Sequence, residues 1–228
     1  MGDIIKSLKE FIWDITGYLI PGFLFVLVMN FVIDPKVAVP NSFLFDWSKF
    51  NESYIIIVVS YASGYIIYGL TLLKMNVQDQ IINTFKTWKI YSFLKRFHSR
   101  EWEEDFQQSA ALAAAKDKLT ADGYTNVSQM KLNELRNILM SRDPKMDQKV
   151  YTFMFRASVF DHVSTIFLFT ILLAIIQCFL SAFKVSFLKM DVQFIIMYCS
   201  FFLLSSLLGA GKRKFYSIAQ RIPFSNLK

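Results

Sequence analysis

Histidine, cysteine, proline and glycine are all scarce in this chain: two, two, five and eight residues among 228. With only His98, His162, Cys178 and Cys199 to draw on, there is no metal-binding His/Cys cluster, no His-Glu-x-x-His pattern and no glycine-rich phosphate loop. No catalytic residue or metal ligand is identified, no cofactor is expected, and an enzyme is not expected. Both cysteines lie inside apolar runs, so neither a disulfide framework nor an oxidising compartment is implied. Charge is sparse as well, at 19% of residues. What fills the space is apolar: 54% hydrophobic and 17% aromatic residues, with a mean hydropathy of +0.36. That is too apolar for a water-soluble domain, and the first expectation is a lipid bilayer as solvent.

Crossing about 30 Å of hydrocarbon takes roughly 20 helical residues, and runs of that kind lie at 15–33, 54–73, 163–183 and 192–211. The expected fold is all-α and polytopic, with four transmembrane helices and a helical cytoplasmic domain inserted between the second and third. Its segments are an interfacial amphipathic helix (1–13), spans one and two (14–73), the insert (74–157), spans three and four (158–211) and a basic tail (212–228). Twenty-one Lys and Arg fall in the insert and the two ends, against four outside them (Lys36, Lys49, Lys184, Lys189). The positive-inside rule therefore places both termini and the insert in the cytoplasm, with Trp13, Tyr18, Trp47 and Tyr54 as interfacial anchors. Asp3 and Glu10 interrupt the basic start of a cleaved signal peptide, and Lys6 stands where a myristoylation pattern needs Ser or Thr.

Neither glycine nor proline occurs between Gly69 and Gly123, so the second span is expected to continue as a helix beyond the membrane. A break is expected around 98–104, then an Ala-rich helix to about Leu119, a turn at Asp122-Gly123 and a helix over roughly 127–140. Asp143-Pro144 reads as a cap plus first helical residue. From there to Gly209 nothing interrupts the chain, and one helix is expected to run to about residue 183. Two rods would then join cytosol to membrane, either transmitting a conformational change or simply scaffolding the insert.

The four apolar cores contain no Asp, Glu, Lys, Arg or His, which argues against an ion-coupled carrier with midplane charges. Asp161-His162, at the mouth of span three, is expected to be a solvated helix end, with a proton-sensitive pair as the alternative. Thr170, Ala174, Gln177 and Ser181 fall on one stripe of the third span. The stripe either lines a pore formed by several subunits, with Thr170, Gln177 and Ser181 as lining residues, or makes hydrogen bonds within a dry bundle. Ser60 and Gly64 form a small-xxx-small pair beside Tyr61, Tyr65 and Tyr68, and Pro21-Gly22 predicts a kink in the first span.

At about 100° per residue, Lys86, Lys89, Arg96 and Arg100 share an arc of roughly 80°, with Phe93 on the same face. Lys212, Arg213 and Lys214 extend the basic set after span four. Cations among aromatics suit a phosphate-bearing strand or nucleotide; the alternative is topology and anionic lipid alone.

An amphipathic start, a Pro21-Gly22 kink, four spans and a basic helical insert resemble, as a layout, small membrane proteins of bacterial anti-phage defence operons. The Hailong transmembrane effectors are most similar, with the Kiwa membrane subunits as competitors. The first resemblance implies a homo-oligomeric, tetrameric ion channel controlled by single-stranded DNA. The second implies a membrane sensor that engages an operon-encoded cytosolic DNA-binding protein. No family site transfers residue by residue. The expected function is an oligomeric pore-type effector gated through the basic domain by a nucleic-acid or nucleotide signal. A non-conducting sensor or scaffold that recruits a cytosolic partner is the alternative, and a carrier for a neutral solute is a third reading.

Overall fold

A computed structural model of the chain describes residues 11, 13, 15–33, 53–84, 106–142, 144–183, 185 and 187–225. Within them the architecture is helical, with a single isolated bridge between Ile33 and Leu188. A π-helical turn, Ile15–Leu19, leads into α1 (Ile20–Val32). There follow α2 (Ser53–Thr84), α3 (Ala110–Ala121), a 3-10 turn at Val127–Gln129, α4 (Leu132–Arg142), α5 (Pro144–Ser181) and α6 (Val192–Ser225). Four of these segments are long and apolar enough to cross a membrane: Ile15–Val32, Ile55–Gln80, Met146–Ser181 and Val192–Ser225.

The chain divides into two compact units, one of residues 1–76 and 158–210, the other of residues 77–157 and 211–228. α2, α5 and α6 each contribute residues to both. The α5 expectation holds from Pro144 to Ser181, and α2 does continue beyond residue 73, to Thr84. α6 differs from its expectation. Instead of ending near residue 211 it carries Lys212, Arg213 and Lys214 inside the helix and reaches Ser225, with Pro223 in its final turn. Glycine costs a helix interior only about 1 kcal/mol, so Gly209 and Gly211 do not stop it.

In the first unit, buried Val28, Val32, Ile67, Ile166, Ala174, Leu188 and Tyr198 form the core, and Phe167 stacks on Phe201 at 4.8 Å. The opposite faces are bare and greasy. Phe31, Val58, Ile66, Phe179, Ile196, Leu203 and Leu207 are each more than half exposed. An apolar surface that extensive, on helices of spanning length, fits a hydrocarbon solvent.

α1 and α2 meet backbone to backbone. A Cβ placed on Gly22 would collide with the Ser60 carbonyl, and one on Gly64 with the Tyr18 carbonyl. The small-residue pair Ser60/Gly64 thus lets the helices approach as close as their main chains allow. Pro21 opens the regular α ladder just after the π turn; lacking an N–H it cannot bond the carbonyl four residues back, and the turn before it widens.

The second unit is a small helical body. Ser109 caps α3 by accepting from the Leu112 amide at 3.3 Å, and Gly123, at φ +88°, ends it. Only glycine takes that backbone conformation without a Cβ penalty. The expected 127–140 helix is split instead. Asn126 adopts a left-handed conformation, the 3-10 turn ends at Gln129, and α4 starts afresh, with the Glu134 carboxylate accepting from the Lys131 amide at 3.0 Å. Phe106, Leu112, Leu119, Leu135, Leu139 and Phe224 close this core.

Candidate functional site

Apolar helices in lipid have little reason to carry charge, yet the first unit holds a buried ion pair. Lys74 on α2 and Asp161 on α5 lie inside two of the candidate spans, with side chains only 14% and 7% exposed, and Lys74 Nζ reaches Asp161 Oδ1 at 2.5 Å. The same ammonium donates to the Asp161 main-chain carbonyl at 3.3 Å, which also accepts from Thr165 Oγ1 at 2.8 Å. Thr71 Oγ1, one helical turn before Lys74, sits 3.0 Å from Thr165 Oγ1 and 2.8 Å from the Ile67 carbonyl. The two helices are therefore joined by one ion pair flanked by a hydroxyl pair.

A third helix enters beside them. Ser164 and Ser205 place their hydroxyls 2.9 Å apart, and each also reaches the other's carbonyl at 3.1 Å. On the other side His162 meets the edge of Tyr68, ring centroids 5.9 Å apart. Tyr68 belongs to a tyrosine cluster centred on Tyr18, which stacks on Tyr65 at 4.4 Å and meets Tyr61 and Tyr68 edge-on. The Lys74–Asp161, Thr71–Thr165 and Ser164–Ser205 contacts thus tie α2, α5 and α6 together at one level, and Tyr68 links that level to the tyrosine cluster around Tyr18.

That level follows from helix rise. Lys74 is 19 residues from Ile55, and Asp161 is 20 from Ser181; at 1.5 Å per residue each is roughly 30 Å from the far end of its span, about one hydrocarbon thickness. For a hydrocarbon slab that starts at Ile55 and Ser181, the pair would lie at its far edge and not at its middle. Midplane charge is the mark of coupled carriers; charge at one mouth of a bundle holds helix ends together.

The expectation that Asp161-His162 is a solvated helix end is corrected here. Both residues are about 95% buried, at 5% and 4% exposure. Sequence showed the two residues but not the partner, because Lys74 is 87 positions away. The available signal was spacing: Thr71 and Lys74 share one face of α2 (i, i+3), and Asp161 and Thr165 share one face of α5 (i, i+4).

The other candidate residues are placed as follows. Thr170 and Gln177 are fully buried in the first unit, and Ser181 is exposed. Thr170 bonds its own helix at Ile166, whereas Gln177 holds the turn between α5 and α6: its Nε2 donates to the Val185 carbonyl at 3.0 Å, and its Oε1 accepts from the Phe187 and Leu188 amides at 2.8 and 3.3 Å. The same turn grips the end of α1, since Lys189 donates from its main chain to the Val32 carbonyl and from Nζ to the Phe31 carbonyl, both at 2.9 Å. A cation at a helix C-terminus also complements the macrodipole.

Of the basic set, Lys86, Lys89, Arg96 and Arg100 lie outside the described residues, as do Phe93, His98, the first ten residues of the interfacial segment, Asp14 and Trp47. Lys212 and Arg213 are half-buried on α6 and Lys214 is exposed. In the second unit Arg142 pairs with Asp122 at the surface and stacks over Tyr124, its guanidinium 5.0 Å from the ring centroid. The hydrogen bond that Arg142 donates to the Asp122 carboxylate raises the arginine's pKa above its already high ordinary value. Among the described residues no group of His, Cys, Asp and Glu is arranged to hold a metal ion. Comparisons with protein-family models, curated proteins and solved structures found no match for this chain.

Proposed function

We propose that the chain is a subunit of a homo-oligomeric pore in the bacterial inner membrane. Both termini and the 74–157 segment face the cytoplasm, and the pore is opened by a nucleic-acid or nucleotide signal acting through the basic helical segment. The observation that carries this reading is the Lys74–Asp161 pair buried between α2 and α5. A buried ion pair is a poor device for stability, since apolar side chains of similar size serve as well or better. Charge kept inside a membrane bundle points to function.

The proposed mechanism is a latch. Breaking a buried pair costs about 3–5 kcal/mol, which a ligand with roughly a thousandfold preference for the open state, about 4 kcal/mol, can offset. α2 and α5, which carry the pair, also carry residues of the second unit, so a ligand bound there has helices through which to act. The resemblance in layout to anti-phage defence membrane proteins supports placing such a pore in defence, where opening it would halt growth. Planar-bilayer recording of the purified chain tests the proposal: discrete currents are expected, and silence with every oligonucleotide and nucleotide offered refutes it.

One observation favours a second reading. Gln177 and Thr170 are spent inside a single copy of the chain, which suits a non-conducting sensor that recruits a cytosolic partner. Stoichiometric co-purification of a soluble protein with an electrically silent chain would select it.

A further inference from the structure

The second unit contains a concavity of about 640 Å³ between α3, the start of α4 and Tyr216 of α6. That is within the usual range of small-ligand sites, roughly 300–1,000 Å³. Lys116 and Lys131 both line it, along with the side chains of Gln129 and Asn133, and Leu112 and Tyr216 supply its apolar wall. Among the described residues the side chains of Lys116, Lys131, Gln129 and Asn133 make no hydrogen bond or ion pair. Two uncommitted cations and two uncommitted amides therefore share one hollow with an aromatic ring.

We propose that this hollow binds a nucleoside phosphate. Its three requirements are met by different residues. A phosphate needs cationic donors, and Lys116 and Lys131 provide them; the α4 N-terminus does not, because the Glu134 carboxylate already takes the Lys131 amide there. A base needs an apolar face, offered by Tyr216 and Leu112. Its edge needs groups that both donate and accept, which amides such as Gln129 and Asn133 do. An inorganic anion would use only the first of these. A long nucleic-acid strand would need an open groove, not a hollow of single-nucleotide volume. The assignment rests on the reading of the chain as signal-gated, and it moves the sensing site from the Lys86–Arg100 stretch to α3 and α4.

The test is equilibrium binding of AMP to the full chain in detergent or nanodiscs, with inorganic phosphate as competitor. Saturable binding is expected. It should weaken at least tenfold in the Lys116→Glu/Lys131→Glu variant. It should stay within twofold in Lys149→Glu/Arg156→Glu, which makes the same charge change at exposed positions outside the hollow. Phosphate should compete only at far higher concentration than AMP. Absence of saturable binding, equal loss in the two variants, or displacement by phosphate at AMP's own concentration would each overturn the site. A Lys116→Gln/Lys131→Gln variant, which removes charge without reversing it, should show the same weakening; AMP affinity unchanged in it also overturns the site. Binding is read without current, so a chain that binds AMP but never conducts defeats only the pore, and one that conducts but never binds defeats only the hollow.

Discussion

Lys74 Nζ lies 2.5 Å from the Asp161 carboxylate and 3.3 Å from the carbonyl of the same residue, so one ammonium serves both the side chain and the backbone of the facing helix. Removing it would strand a buried carboxylate. Lys74→Met should lower stability by about 3–5 kcal/mol, while Lys74→Met with Asp161→Leu should recover most of that loss or exceed the parent. Chemical unfolding in mixed micelles measures both. If the double variant is as unstable as the single one, the charges are not a pair in isolation from their surroundings.

The Arg142–Asp122 pair has the same chemistry at the surface and should behave oppositely. Its side chains are 32% and 39% exposed, and such pairs contribute about 0–1 kcal/mol; Asp122→Asn should cost no more than that. Arg142's pKa is raised in the fold. Its stabilising share is therefore complete below the unfolded arginine value, far above neutral pH, and is lost only as pH rises through the still higher folded value. Stability contributed by this arginine should be flat between pH 5 and 9, and a slope there abolished by Asp122→Asn would contradict it.

Gly64 and Gly69 offer a matched comparison on one helix. A methyl group at Gly64 would strike the Tyr18 main chain, whereas at Gly69 it meets nothing within 4 Å. Gly64→Ala should destabilise by about 1–3 kcal/mol or more, and Gly69→Ala should be neutral or stabilise by up to about 1 kcal/mol. Equal effects in an unfolding titration would mean that α1 and α2 are not in backbone contact.

Gln177 makes a local prediction. Gln177→Leu leaves the Phe187 and Leu188 amides without their acceptor, a loss of about 1–3 kcal/mol, so their hydrogen exchange should quicken roughly tenfold to hundredfold. Gln177→Glu, which keeps the acceptor, should protect them better than Leu does. Exchange rates at Phe187 and Leu188 unchanged in Gln177→Leu would release this residue from the turn.

The four candidate spans were legible in composition alone, because each is an apolar run of the roughly 20 residues that a helix needs to cross a bilayer. The length of α5 was legible for a similar reason: from Lys145 to Leu208 there is no residue that obliges a helix to stop. Where local signals were weak, packing decided. Phe224 and Ala219 are buried in the second unit, and that burial carries α6 through Gly209, Gly211 and Pro223. The Lys74–Asp161 contact was not legible, since spacing shows which residues share a face but not which faces meet. The tyrosine row Tyr61, Tyr65, Tyr68 was visible, yet its centre, Tyr18, comes from another helix.

Orientation can be checked by thiol labelling. In a Cys178→Ser/Cys199→Ser background, Ala113→Cys should react only after the inner face is exposed, and Val185→Cys should react in intact cells. Both positions are exposed. The reverse pattern would invert the orientation inferred from Lys and Arg.

Ion flux from proteoliposomes carrying the parent chain, Asp161→Asn and Lys74→Met tests the latch most directly. Without any added signal, both variants should leak at least tenfold faster than the parent, which corresponds to weakening the closed state by about 1.4 kcal/mol or more. Variants that are folded, inserted and as tight as the parent would contradict a pore held shut by this pair.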